Sequence, residues 1–92
     1  MAHSQHLFLI QQGAYLWNAW RDTQPRWFVP ELCDADLREL DLKHCNLRRA
    51  NLCGALLTRA NLEEADLTNA MLLNADLTGA NLKNARFSGA RL

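Results

Sequence analysis

The sequence lacks several features that define common classes of protein. Its 92 residues include 10 basic and 10 acidic side chains, so the formal net charge is zero. A domain that binds polyanions is usually basic, and a protein that imitates a nucleic acid is usually acidic. This chain is neither, and we expect no nucleic-acid partner.

Cysteines and long apolar runs are also scarce. The three cysteines, Cys33, Cys45 and Cys53, are an odd number, which argues against a secreted disulfide framework. The longest apolar runs, such as Leu7 to Ile10, are too short for a signal-peptide core or a membrane span. We therefore expect a single cytoplasmic domain without membrane contact.

No group of residues has the pattern of an active site or a metal centre. His3 and His6 lie near the N-terminus, and no base is placed to activate a serine or the single tyrosine. Glu63 and Glu64 are adjacent carboxylates, but an exposed pair gives no reason for perturbed pKa values. We predict a protein without enzymatic activity, cofactor or metal.

A five-residue repeat begins at Ala35 and continues to the end of the sequence. Eleven full units and a remainder of three residues follow one another without a gap. The third position is Leu except at Phe87, and the first is Ala except at Leu40 and Cys45. The second is Asp or Asn in eight of the twelve units.

A period of five fits neither a helix, with 3.6 residues per turn, nor a strand, with two. The backbone must therefore turn a corner in every unit, so that the third and first positions always point inward. Asp and Asn suit such corners because their short side chains bond to nearby backbone groups.

These units resemble the A(D/N)LXX consensus of the pentapeptide-repeat family. The resemblance implies an all-β solenoid, a right-handed quadrilateral β-helix with four units per coil and about three coils. Residues twenty apart then stack in columns. The predicted leucine columns of the core are Leu37, Leu57 and Leu77; Leu42, Leu62 and Leu82; Leu47, Leu67 and Phe87; and Leu32, Leu52, Leu72 and Leu92.

The first 29 residues differ in composition and predict an N-terminal helical cap for a β-helix of residues 30–92. All three tryptophans lie there, and Ser4 is the predicted N-cap of a helix from Gln5 to about Asp22. The segment 11–25, QQGAYLWNAWRDTQP, resembles a QG–WN–WR–P leader that precedes many pentapeptide-repeat arrays. The side chains predicted to cover the first coil are Leu9, Leu16, Trp17, Trp20, Trp27 and Phe28.

Two groups of outward side chains, a basic cluster and a pair of cysteines, each allow two interpretations. Lys43, His44, Arg48 and Arg49 form a basic cluster beside Glu63 and Glu64, which is either a self-neutralising solvated face or a site for an anion or acidic partner. Cys33 and Cys53 share an outward column at a spacing that permits a disulfide. A reducing cytoplasm would keep them as thiols, and the sequence does not decide between the two states.

The C-terminal end gives the clearest functional indication. We expect it to be uncovered and apolar, and we predict a non-enzymatic scaffold for protein–protein contact that forms a homodimer through its C-terminal coils. An alternative is the N-terminal module of a larger bacterial signalling or defence protein. Another, implied by the resemblance, is a DNA mimic that binds topoisomerase, which the neutral charge and short length disfavour. The candidate interface residues are Leu77, Leu82, Phe87, Leu92, Leu56, Met71 and Leu73.

Overall fold

Two short helices precede a ladder of parallel β-bridges in the computed structural model, which describes all 92 residues. Helix α1 spans Ser4–Gln11 and helix α2 spans Ala14–Arg21. Neither helix has the length and apolar character needed to span a membrane. After a short connection, the rest of the chain alternates between tight turns and single bridge residues from Glu31 onward.

Isolated parallel bridges join residues twenty apart, from Glu31 with Asn51 to Met71 with Arg91. Two hydrogen bonds recur at each bridge. The third-position N–H donates to the carbonyl nineteen residues later, as Leu37 does to Leu56 at 2.8 Å. The second-position N–H donates to the carbonyl twenty-one residues earlier. Each twenty-residue coil is thereby paired with the next along four ladders.

The corners are tight turns with one residue in the left-handed conformation. The fifth position of every unit from Asp34 to Gly89 has a positive φ of 58–72°. The carbonyl before each corner accepts a hydrogen bond from the N–H three residues later, as in Leu32 and Ala35 at 3.1 Å. A positive φ at the third of four residues is the geometry of a type II turn, which favours Gly or Asn there.

The second-position Asp and Asn side chains brace these corners. All eight accept a hydrogen bond from the backbone N–H two residues later, at 3.0–3.2 Å. This is the local bonding that the sequence pattern indicates for short polar side chains at a turn. The residues are Asp36, Asp41, Asn46, Asn51, Asn61, Asp66, Asp76 and Asn81.

The core is a stack of leucines with alanines between them. The inward leucines from Leu32 to Leu72 are at most 3% exposed, and the alanines from Ala35 to Ala70 are at most 2% exposed. Cys45 takes an alanine position and is fully buried, whereas Leu40 is only partly buried. Burial of the core is the main favourable contribution to folding.

The N-terminal segment differs from the single helix predicted from Gln5 to about Asp22. Gly13 has a φ of 110° and separates α1 from α2, and no atom lies within 4 Å of where its Cβ would be. Glycine is therefore needed at this break for its backbone conformation. Ser4 is also not the N-cap, because the Nδ1 atom of His3 accepts the N–H of Gln5.

Two residues predicted to cover the first coil do not lie against it. Leu16 is 51% exposed and Trp27 is 74% exposed. Trp17 is fully buried, and Leu9, Trp20 and Phe28 are partly buried. The break at Gly13 interrupts the single stripe drawn for one continuous helix and leaves Leu16 of α2 exposed, whereas Trp27 follows α2 and belongs to neither helix. Ile10 and His6, both buried, complete the cap instead.

Polar groups of the cap bond to the backbone edge of the first coil. The indole Nε1 of Trp17 donates to the Asn46 carbonyl at 2.8 Å, and the Asn18 Oδ1 accepts the Asn46 N–H at 2.7 Å. At the Glu31 edge, the His6 Nδ1 accepts the Glu31 N–H, and the His3 N–H donates to the Glu31 carbonyl, both at 2.9 Å. These contacts replace the ladder that a preceding coil would supply.

Replacing Gly54 by alanine tests the fifth-position turn. A methyl group there would meet the Asp34 carboxylate, and an L side chain is disfavoured at a φ of 70°. We expect a loss of about 1–2 kcal/mol in the free energy of unfolding. Glu64→Ala is the matched control, because Glu64 already has a φ of 59°, and should change stability by less than about 0.5 kcal/mol. Equal losses in urea denaturation would contradict this account.

We predict that protonation of His6 lowers the free energy of unfolding in mild acid. Burial of the ring and the neighbouring His3 lower the pKa of His6 below 6.5, and its Nδ1 must stay unprotonated to accept the Glu31 N–H. The unfolded chain then binds the proton more tightly, so this contribution is complete above pH 6.5 and is lost as the pH falls through the folded pKa.

The measurement is the melting temperature as a function of pH. His6→Asn keeps an acceptor oxygen near the Nδ1 position and should flatten the profile below pH 6.5. His44→Asn is the control, since the His44 side chain is exposed and accepts no backbone N–H of the first coil, and should keep the wild-type slope. A wild-type slope in His6→Asn would assign the acid sensitivity to another group.

Candidate protein-interaction surface

The last coil presents its inward side chains at an open face. Leu77 and Phe87 are only partly buried, Leu82 is 37% exposed, and Leu92 is 75% exposed. The residues twenty positions earlier, Leu57, Leu62, Leu67 and Leu72, are at most 3% exposed. The same residue type in the same column is therefore covered inside the stack and uncovered at this end. We call the surface formed by the backbone and the inward side chains of residues 75–92 the terminal face.

Backbone groups of the terminal face also lack the bonds that their counterparts make. The N–H of Leu57 donates to the Asp76 carbonyl, but the N–H of Leu77 has no backbone acceptor. On the other three ladders, the N–H groups of Leu82, Phe87 and Leu92 also have no backbone acceptor. Four carbonyls, one on each ladder, have no backbone donor: those of Ala75, Ala80, Ala85 and Ala90. A row of unpaired donors and acceptors beside apolar side chains is a template for pairing with another chain.

The outward apolar residues Leu56, Met71 and Leu73 do not share one side of the coil. Met71 and Leu73 flank Leu72 on one side, while Leu56 lies beyond the corner at Gly54, in a ladder with Asp36 and Asp76. Leu56 is 37% exposed and Leu73 is 49% exposed. These residues form two small apolar areas on the sides of the coil.

The three cysteines are free thiols in the structure. Cys33 and Cys53 are partly buried in one outward column, and the Asp34 N–H donates to the Cys53 carbonyl at 2.9 Å. Burial raises the pKa of the Cys45 thiol to about 12. A thiol with so high a pKa is a poor nucleophile near neutral pH.

Carboxylates with shifted pKa values on the coil are engaged in turns and ion pairs. Side-chain and backbone hydrogen bonds from Arg38 lower the pKa of Asp36 to about 2. Hydrogen bonds from Thr78 lower the pKa of Asp76 in the same way. These shifts have structural causes, because each carboxylate accepts the backbone N–H that closes its own turn.

Only some residues of the basic cluster predicted on the first coil contact acidic side chains. His44 lies 3.2 Å from Glu64, and Arg48 lies 3.0 Å from Asp66. Arg49 forms no ion pair. Asp66 on the next coil therefore neutralises Arg48, whereas Lys43, like Arg49, forms no ion pair.

The ladders of parallel bridges and the regular turns define a β-helical solenoid. A sequence model described as pentapeptide repeats matches residues 35–72 and 60–92, with eight copies. The chain belongs to the pentapeptide-repeat family, as the repeat predicts. Membership implies a right-handed β-helix. The match does not include residues 11–25, whose resemblance to a leader stays a prediction.

Among solved structures, the chain is similar to a pentapeptide repeat protein (Rfr23) from the cyanobacterium Cyanothece 51142. The two share 32% sequence identity with a TM-score of 0.37, and the match covers 63% of this chain. It covers 50% of the other chain, so this chain spans about half the length of that protein. No curated protein sequence matches this chain.

A pair of alanine substitutions in one column measures how open the terminal face is. Leu57→Ala removes a fully buried side chain and should cost about 2–5 kcal/mol of unfolding free energy. Leu77→Ala removes a partly buried one and should cost about 1 kcal/mol at low protein concentration. Chemical denaturation of both variants gives the comparison. Equal losses would show that the terminal face is covered in solution.

Proposed function

We propose that the protein is a non-enzymatic scaffold that makes protein–protein contacts through its terminal face. The single observation that carries this proposal is the exposure of inward side chains in the last coil, when the same columns are buried one coil earlier. Apolar side chains and unpaired backbone groups lie together there, which is the composition of a surface that another protein covers.

The scaffold we propose is a right-handed, four-sided β-helix of about three coils. The bridges between residues 31, 51, 71 and 91 support this geometry, as do the ladders that start at residues 36, 41 and 46. The terminal face is then a flat cross-section of the stack. Each of its four edges belongs to one side of the coil and is the end of one ladder.

The partner we propose is a second copy of the chain. A two-fold axis places the same surface on both subunits, so the surface must complement itself. The terminal face carries unpaired N–H donors and carbonyl acceptors along its four edges and aliphatic side chains and Phe87 between them. Two copies can therefore pair backbone groups at the edges and bury apolar groups at the centre.

Two leucines of equal exposure provide the test. Leu82 on the terminal face and Leu56 on the side of the coil are each 37% exposed. We expect the wild-type protein to sediment as a dimer at tens of micromolar. Leu82→Lys should weaken dimerisation at least about tenfold, because two copies would bury an unpaired ammonium. Leu56→Lys should leave the dimer unchanged.

Sedimentation equilibrium distinguishes the outcomes. A wild-type monomer at these concentrations would overturn the proposed dimer. Dissociation by Leu56→Lys with no effect of Leu82→Lys would place the contact on the side of the coil instead. Circular dichroism of each variant checks that the fold is retained.

A further inference from the structure

A polar cleft lies between the end of α2 and the first coil. Its volume is about 460 Å³, within the range of small-ligand sites. Four of its nine lining residues are arginines: Arg21 and Arg26 come from the cap, and Arg48 and Arg49 from the coil. Asp22 is the one acidic residue among the nine. Local positive charge is thus concentrated here, although the whole chain has a net charge of zero.

Much of this positive charge has no protein partner. Arg26 and Arg49 form no ion pair, in contrast to Arg38 and Arg59, which pair with Asp36 and Glu39 elsewhere on the coil. Guanidinium groups present several N–H donors in a planar fork that fits phosphate and carboxylate oxygens. Two such forks are therefore available to a bound anion.

Arg21 lines the cleft and holds the end of α2 against the first coil. Its Nη1 donates to the carbonyls of Asn46 at 3.2 Å and Arg48 at 3.1 Å. Burial of the guanidinium and the positive charges of Arg48 and Arg49 lower the pKa of Arg21. Like charges held together at a partly desolvated wall repel one another, and an anion placed between them offsets that repulsion.

Two side-chain amides add donors without adding charge. Asn46 and Asn69 both line the cleft, and neither side-chain nitrogen donates to a protein acceptor. The Asn46 Oδ1 accepts the Arg48 N–H at 3.2 Å, which leaves the amide NH₂ as the free end. The cleft is thus lined mainly by donors.

We propose that this cleft binds a small polyanion that carries at least two phosphate or carboxylate groups. Arg48 is paired with Asp66, and the balance of the three remaining arginines against one aspartate favours a multiply charged ligand. No leucine, valine, isoleucine, methionine or aromatic residue lines the cleft, so the ligand has no large apolar part. An extended polyanion fits less well, because Glu64 and Asp66 interrupt the basic surface on the next coil.

Inorganic pyrophosphate and citrate are the probes, titrated into the full chain at low salt by calorimetry and by amide chemical shifts. We expect saturable one-to-one binding of at least one probe with a Kd below about 1 mM, and shifts at residues 21–26 and 46–49. Preference for pyrophosphate identifies a phosphate site, and preference for citrate a carboxylate site. Acetate should bind at least about tenfold more weakly than the preferred probe.

Three Arg→Gln variants locate the site. Arg26→Gln and Arg49→Gln should each raise the Kd about tenfold, since each removes a charged donor. Arg59→Gln is the matched control, because Arg59 also occupies the fifth position of its unit, with a φ of 58° against 62° for Arg49, and lies two corners away. It should leave the Kd within about twofold. Melting temperatures verify that each variant is folded.

Several results would overturn the proposal. These are the absence of saturable binding by both probes, equal weakening by Arg59→Gln, or chemical shifts centred away from the cleft. Binding of an acidic peptide or of DNA without binding of either small anion would also overturn it, because the surface would then serve a macromolecule.

Discussion

The backbone hydrogen bonds between successive coils are the interaction on which the rest of the structure depends. Each third-position N–H reaches the carbonyl nineteen residues later, and each second-position N–H reaches the carbonyl twenty-one residues earlier. This register places leucine on leucine and alanine on alanine, so the core follows from the ladder. It also makes every coil both donor and acceptor, and therefore any coil without a neighbour has unpaired groups on one side.

The left-handed residue at each corner maintains this register, and the sequence carried a signal for it that position-by-position reasoning missed. Three glycines and three asparagines occupy fifth positions, the residue types that best tolerate a positive φ. The repeat indicated the role of the second-position Asp and Asn, and the predicted column leucines from Leu32 to Leu72 are buried, whereas Leu77, Leu82, Phe87 and Leu92 of the same predicted columns are not. The fifth position was harder to interpret because Glu39, His44, Arg49, Arg59 and Glu64 adopt the same conformation with ordinary side chains.

The cap could be predicted only in outline. Its aromatic composition indicated a cover for the first coil, but the break at Gly13 leaves Leu16 exposed, Trp27 is exposed in the segment after α2, and Ile10 and His6 are buried instead. A helical stripe assumes one straight axis, and a single glycine at a φ of 110° invalidates that assumption. The basic cleft was beyond sequence reasoning for a related reason, since Arg21 and Arg26 meet Arg48 and Arg49 only through the docking of the cap.

At the first coil, side chains of the cap take the place of a preceding coil. At the first coil, His6 accepts the N–H of Glu31, and Trp17 and Arg21 donate to the carbonyl of Asn46. These bonds satisfy two of the four ladders, and the aromatic rings cover the leucines beneath. At the terminal face, the equivalent carbonyls and N–H groups have no such partners. The side chains of an irregular cap can bond only to the particular coil edge whose backbone groups they reach. The backbone of another coil can bond to any coil edge that has the same spacing of N–H and carbonyl groups. A partner with the same backbone spacing, such as the second copy that we propose, would therefore fit the regular terminal face, whereas the irregular cap forms the cleft between α2 and the first coil.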